Sequence, residues 1–233
     1  MPIHIRCMID LKAINKTLGR KLILSNVSLS VRPGEIVGIA GPVGAGKSTL
    51  LNICNGLISP DSGFVTIINL PMQTNQQQIL QHINYASSSQ RLSGYATVME
   101  NLATYALLYE VPDAKIRLAS FFEHFGVPAG LLHKKIYRLS SGENSLVNLA
   151  KALLNNPNVL LLDEITAHMD PILTARVHKF LKKRNTAEFV TMLVSQNTKE
   201  LQSFCSRLIV LSHGRIVYNG KPLSPARIKT YYA

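Results

Sequence analysis

The chain has no tryptophan and only 3 cysteines in 233 residues, Cys7, Cys54 and Cys205, with no Cys-x-x-Cys pair among them. That scarcity excludes a disulfide scaffold, offers no zinc-binding spacing, and suits a reducing compartment in which the thiols act as small buried hydrophobes. Long apolar runs are also missing. The longest, such as Ile36–Ala40 and Val159–Leu162, fall far below the roughly 18–20 residues of a membrane-crossing helix, so no spanning segment is expected. The N-terminal stretch MPIHIRCMIDLK lacks the charged-then-apolar pattern of a secretion signal and reads as an alternating strand, which predicts a cytosolic chain. Acidic residues are few: 13 Asp and Glu stand against 25 Lys and Arg, a formal charge of +12. Such an excess suits nucleic acid, an anionic membrane surface or a solvated basic face, and composition does not choose among them. There are no internal repeats. What the chain does have is apolar content, 46% of its residues. That excludes disorder and predicts one domain with a subdomain, or two small ones.

The first third alternates in strand fashion, most clearly at Val27, Leu29 and Val31, before the turn Pro33-Gly34. Ile36–Ala40 is a continuous apolar run, as befits a strand buried on both faces, and it leads into a glycine loop and a helix from Leu50 to about Asn55. A strand is expected at Phe64–Leu70 and a surface helix at the Gln-rich segment Gln73–Gln81. From Ile83 to Asn156 the pattern is mostly helical, broken by polar clusters at Ser87–Ser89 and Leu139–Gly142. Val159–Leu162 is a second buried strand. A basic helix follows near Pro171–Arg184, then a strand near Phe189–Ser195 and a final pair of short strands around Gly214.

The loop between the first buried strand and its helix carries the clearest chemistry. Gly41-x4-Gly46-Lys47-Ser48 has the phosphate-loop pattern, in the strand–loop–helix setting that pattern requires. Glycines let backbone N–H groups turn inward around an anion, and the helix N-terminus adds its positive dipole end. The whole stretch Gly41, Pro42, Val43, Gly44, Ala45, Gly46, Lys47, Ser48 and Thr49 is therefore expected to wrap the phosphates. Lys47 would reach the β- and γ-phosphates, and the Ser48 hydroxyl would ligate Mg2+. Asp163, at the carboxyl end of the second buried strand, is where a further Mg2+-holding carboxylate should stand. Glu164 beside it is suited to orienting or deprotonating an attacking water, so the pair suggests hydrolysis by in-line phosphoryl transfer.

Leu139-Ser-Ser-Gly-Glu143, followed by an amphipathic helix and Asn156-Pro157, lies just before Val159-Leu-Leu-Leu-Asp-Glu164. This resembles the signature motif of the ATP-binding cassette family, and the combination with a P-loop and with Asp170-Pro171 extends the resemblance from about Leu11 to Gly220. Ser140 or Ser141 can also cap the following helix, and both readings hold together. The resemblance implies an α/β fold: a P-loop NTPase (RecA-like) core with an N-terminal antiparallel β subdomain and an inserted α-helical subdomain. It implies one domain over 1–233, with 1–83 and 157–233 as nucleotide-binding core and 84–156 as the helical signature subdomain. It further implies ATP and Mg2+ as ligands, a second cassette bound head to tail, and a separate integral membrane permease. Ser140, Ser141 and Gly142 would then act across the dimer, and Asp170 would help connect the two sites. The protein would sit peripherally at the cytoplasmic face of the membrane. Thr97–Leu102 through Leu108–Pro112 resembles the exporter branch, in which two small membrane subunits pair with such cassettes.

Three positions depart from the family pattern. Where an aromatic usually stacks on adenine stands Leu18, and stacking is worth roughly 1–3 kcal/mol. Where a loop glutamine senses the γ-phosphate stands Ser88, with Gln90 two residues on, and either side chain could reach the metal through water. Where a histidine follows the last core strand stands Gln196, whose amide can donate a hydrogen bond but cannot become a cation. These departures keep an alternative open, a partly degenerate regulatory cassette with slow or no hydrolysis. His213 reads as a solvated turn rather than a replacement for that histidine. His168 lies nearer the expected dimer face and reads as a surface residue. Lys179, Lys182, Lys183 and Arg184 read as the wet face of a helix, with phosphate or lipid contact the lesser reading. A non-transport cassette acting on nucleic acid rests on charge alone, and no nucleic-acid partner is expected. By segment the net charge is +4 over 1–83, +1 over 84–145 and +7 over 146–233. The surplus therefore reads as a basic outer face beside an anionic leaflet, worth at most about 1 kcal/mol per residue that reaches the surface.

Overall fold

The computed structural model describes residues 7–232, the side chain of Ala129 excepted; the first six residues of the N-terminal stretch, read above as an alternating strand, lie outside them. A long hairpin opens the fold, β1 (Ile9–Leu18) against β2 (Lys21–Val31), followed by β3 (Ile36–Ala40) and α1 (Lys47–Cys54). Then come β4 (Ser62–Ile67), β5 (Leu70–Pro71), α2 (Met72–Leu80) and β6 (Ile83–Ser87). The helical segment holds α3 (Val98–Leu108), α4 (Ala114–His124), two single 3-10 turns and α5 (Ser141–Leu153). The chain closes with β7 (Val159–Asp163), α6 (Pro171–Arg184), β8 (Val190–Val194), α7 (Thr198–Phe204), β9 (Arg207–Ser212), β10 (Arg215–Gly220) and α8 (Pro225–Lys229).

These elements form an antiparallel sheet in the order β2-β1-β4-β5 and a second sheet in the order β10-β9-β3-β8-β7-β6. In the second, β9, β3, β8, β7 and β6 run parallel, and only β10 is antiparallel to its neighbour. The parallel strands are buried on both faces, which explains their continuous apolar runs. Their side chains still alternate. Val37, Ile39, Val159 and Leu161 face a core shared with the antiparallel sheet and α1, while Leu160, Leu162, Leu208 and Val210 face a core shared with α3 to α7. This places the carboxyl ends of β3 and β7 at one edge, where Gly41 and Asp163 emerge.

Three expectations change. Ile83–Ser87 is a strand of the parallel sheet, paired from Ile83↔Val159 to Ser87↔Asp163, so the helical segment begins after Ser87. Its sequence hides this because Asn84 is polar yet buried. The Asn84 amide donates to the Ala152 carbonyl at 2.8 Å and to Asn155 Oδ1 at 2.6 Å, and its oxygen accepts from Tyr109 at 2.9 Å. The strand expected at Phe64–Leu70 stops at Ile67, since Ile68 and Asn69 turn through positive φ before β5. Arg184 is not on the wet face with Lys179, Lys182 and Lys183: its guanidinium lies over Phe189 at 4.4 Å and donates to the Pro157 carbonyl, and burial lowers its pKa to about 10. Cys54 and Cys205 are buried thiols held at about 12 by that burial, in keeping with a packing role. His213 sits exposed at the β9–β10 turn with φ of 47°, as a solvated turn residue should.

Candidate functional site

The loop after β3 turns on its glycines. Gly41, Gly44 and Gly46 all have positive φ, at 153°, 79° and 99°. A Cβ on Gly41 would collide with the Leu211 carbonyl, and one on Gly46 would come within 2.8 Å of Leu24. The loop can therefore follow this path only with glycine at those positions. The first turn of α1 has no side-chain cap and no acidic residue, which leaves its N–H groups and dipole end available to an anion. Lys47 is buried and donates from Nζ to the carbonyls of Gly41 and Pro42, both at 2.8 Å. Burial lowers its pKa, opposed by the charges of Glu164 and Asp163. Ser48 is exposed beside it, Thr49 half-buried, and Val43 projects outward.

At the end of β7, Asp163 is buried and accepts a hydrogen bond from Tyr85 at 3.1 Å. Burial, reinforced by the Asp163 charge, pushes the Tyr85 phenol up to about 12. Glu164 bends out of the strand with φ of 53°, its N–H bound to the Val194 carbonyl, and its Oε2 accepts the Gln196 N–H at 3.2 Å. Burial raises its pKa and Asp163 adds to the rise, while the Gln196 N–H and Lys47 resist it. Glu164 opens on a cleft of about 840 Å³ whose walls include Ser88, His168 and Gln196. The site thus combines a glycine loop, an uncapped helix N-terminus and a buried cation with two adjacent carboxylates, the pKa of Glu164 raised by its burial.

The sequence profile described as ABC transporter matches residues 24–167, more than half of the chain, including the glycine loop, Asp163 and Glu164. The chain belongs to the ABC transporter family. It is the ATP-binding, ATP-hydrolysing subunit. It is 31% identical to the Nod factor export ATP-binding protein I of Rhizobium etli over 216 residues, 92% of this chain and 68% of that one. Among solved structures it is similar to a dimeric bacterial ABC transporter cassette, 26% identical with a TM-score of 0.79 over 93% of this chain and 100% of that one. It is likewise similar to a dimeric ATP-binding cassette in a post-hydrolysis state bound to ADP and Pi, 25% identical with a TM-score of 0.79 and the same coverage.

The remaining expected residues of the cassette fall into place unevenly. Ser88 stands in the cleft with Glu164, and its N–H donates to the Asp163 carbonyl at 3.2 Å. Gln90 lines a different cavity, beside Tyr85 and Lys151, and its buried Oε1 has no partner among the described residues. Leu18 lies exposed at the tip of the β1–β2 hairpin, paired with Lys21. Ser140 caps α5 in a reciprocal box with Glu143, and Ser141 is exposed. Neither lines the cleft, and nor does Gly142, which packs so closely on His168 that a Cβ would stand 2.9 Å from its carbonyl. Asp170 caps α6 by accepting from the N–H groups of Ile172 and Leu173, worth about 1 kcal/mol.

Sequence reading missed a buried carboxylate on the wall of the same cleft. Glu200 is buried and accepts from Thr166 and Ser195, each at 2.6 Å, and contacts His178 Nε2 at 2.8 Å. Burial alone would raise its pKa. The hydrogen bonds from His178, Ser195 and Thr166 outweigh that and hold it below the ordinary glutamate value. A depressed carboxyl stabilises the fold above its unfolded pKa of about 4.3, and that contribution fades as pH falls through the folded value. Glu200→Gln should therefore cost about 1–3 kcal/mol at neutral pH and flatten the acid limb of stability. Thermal melts of both proteins between pH 7 and pH 3 check this.

Proposed function

We propose that this cassette drives export, pairing head to tail with a second cassette beneath a separate integral membrane permease at the cytoplasmic face of the membrane. Among the described residues no helix is long and apolar enough to cross a membrane, so another chain would supply the path. Export follows the printed function of the Nod factor relatives and the dimer follows the paired cassettes among the solved structures. The observation that carries hydrolysis is Glu164: a carboxylate of raised pKa, turned out of β7 by a left-handed backbone and aimed by the Gln196 N–H.

Gly41 to Thr49 would hold the ATP phosphates, with Lys47 leaving its two loop carbonyls for the β- and γ-oxygens. Mg2+ would be held by Ser48 and Asp163. Among the described residues no three His, Cys, Asp or Glu side chains converge on one point, which suits a cation that takes its other ligands from phosphate and water. Mg2+ would neutralise the charge developing on the γ-phosphoryl group. Ser88, in the cleft, is better placed than Gln90 to meet it. Gln196 would donate to a γ-phosphate oxygen. Ser140, Ser141 and Gly142 would complete the partner's site across the dimer, with Asp170 anchoring the connection at the head of α6.

Leu18 is assigned to the adenine. An aliphatic side chain packs on the ring but lacks the aromatic face, so Leu18→Tyr should tighten ATP binding by about fivefold for each 1 kcal/mol of stacking gained. Equilibrium titration with a fluorescent ATP analogue measures that change. The proposal as a whole is tested by co-expressing the chain with a candidate integral membrane permease: copurification and ATP turnover raised by the permease support it. A cassette that turns over ATP but neither binds nor responds to the permease contradicts the transport assignment.

A further inference from the structure

Away from the ATP site, α4, α6 and the end of α5 enclose a cavity of about 810 Å³. Its apolar wall is Phe121, Leu153 and Phe180, and its rim carries Arg176, Lys179 and Lys183 at successive turns of α6. The aromatic wall is preorganised. Phe121 and Phe180 meet edge to face at 6.0 Å, and both pack on Phe125 at 4.8 and 5.5 Å. Among the described residues no carboxylate lines the cavity and none of the three rim cations is in an ion pair.

Arg184 adds an independent sign. It also lines the cavity, and among the described residues its buried Nε and Nη1 have no hydrogen-bond partner. A guanidinium with idle buried donors leaves the positive field of this pocket uncompensated, and such a field is what an anion answers. Four cations gathered here account for much of the basic surplus of the last third of the chain.

We propose that this cavity binds a single-chain anionic amphiphile, its apolar tail between Phe121, Leu153 and Phe180 and its phosphate or carboxylate head on Arg176, Lys179 and Lys183. The apolar wall would go unused by a free phosphate or a nucleic-acid backbone. The volume falls in the range of about 300–1,000 Å³ typical of small-molecule sites. A folded acidic partner would instead need roughly 800 Å² of matching surface.

Calorimetric titration of the full chain with dodecyl phosphate, below its micelle-forming concentration, tests this. Dodecyl maltoside supplies the same tail without charge, and inorganic phosphate supplies the head alone. Saturable one-to-one binding of dodecyl phosphate, at least tenfold tighter than either control and weakened at least tenfold in Lys179→Glu/Lys183→Glu, supports the site. Both lysines are exposed, so that variant should melt at the wild-type temperature, and Phe180→Ser provides a second loss from the apolar side. Equal binding of the neutral detergent, binding unchanged in both variants, or no saturable binding overturns it. An acidic peptide that binds where dodecyl phosphate does not also overturns it. Cosedimentation with phosphatidylglycerol vesicles, lost in the double variant, assigns the head to a membrane lipid. Binding of dodecyl phosphate without cosedimentation assigns it to a soluble amphiphile. These readouts are independent of ATP turnover and of the permease.

Discussion

Replacing Glu164 by glutamine is expected to lower kcat for ATP hydrolysis by about 10²- to 10⁴-fold, the range for loss of a positioned general base. The amide keeps the size of the carboxylate and can still accept the Gln196 N–H that now reaches Oε2 at 3.2 Å, so nucleotide binding should persist. What disappears is the proton acceptor. Because burial first, and then Asp163, raise the Glu164 pKa above 4.5, the acid limb of kcat/KM should lie above the ordinary glutamate range. The sign is fixed by the role: the base works deprotonated, so activity falls as pH drops through the raised value. The glutamine variant should show residual activity without that limb. Initial-rate measurements from pH 5 to pH 9 separate the two, and equal rates for the two proteins would remove hydrolysis from this carboxylate.

Lys47→Ala is expected to weaken ATP binding by about 1.5–3 kcal/mol, the range for a charge-assisted hydrogen bond, or roughly 10- to 150-fold in Kd. The side chain is buried at the heart of the loop, bonded to the carbonyls of Gly41 and Pro42, with two carboxylates favouring its charge. Truncation leaves those carbonyls without their donor and the cradle without its cation, so turnover should fall with affinity. Lys47→Arg should not restore either, because a planar fork cannot take the place of a compact ammonium between two carbonyls. Equilibrium binding beside thermal melts distinguishes a lost ligand contact from a lost fold. Unchanged affinity in a folded Lys47→Ala protein would contradict the phosphate-loop assignment.

The glycine loop was legible because its glycines are demanded locally: Gly41 and Gly46 hold backbone paths that a Cβ would block. The buried strands at Ile36–Ala40 and Val159–Leu162 were legible because burial on both faces needs an unbroken apolar run. β6 obeys the same physics but satisfies buried Asn84 through Ala152, Asn155 and Tyr109, partners that lie 25 to 71 residues away. No local pattern announces that. Glu200 is a similar case, since Thr166, His178 and Ser195 converge on it only after folding. Arg184 sits among lysines in sequence, and only the contact with Phe189 and the Pro157 carbonyl draws it inward. Ser88 and Gln90 lie two residues apart just past a strand end, where orientation is set by tertiary packing rather than spacing.

The most direct test of an ATP-driven cassette pair is the sedimentation of Glu164→Gln with and without Mg-ATP. The expected result is a monomer that becomes a dimer at saturating Mg-ATP, with the shift abolished when Lys47→Ala is added. A species that stays monomeric at saturating Mg-ATP, both alone and with the permease, would contradict the head-to-tail site and the role assigned to Ser140, Ser141 and Gly142.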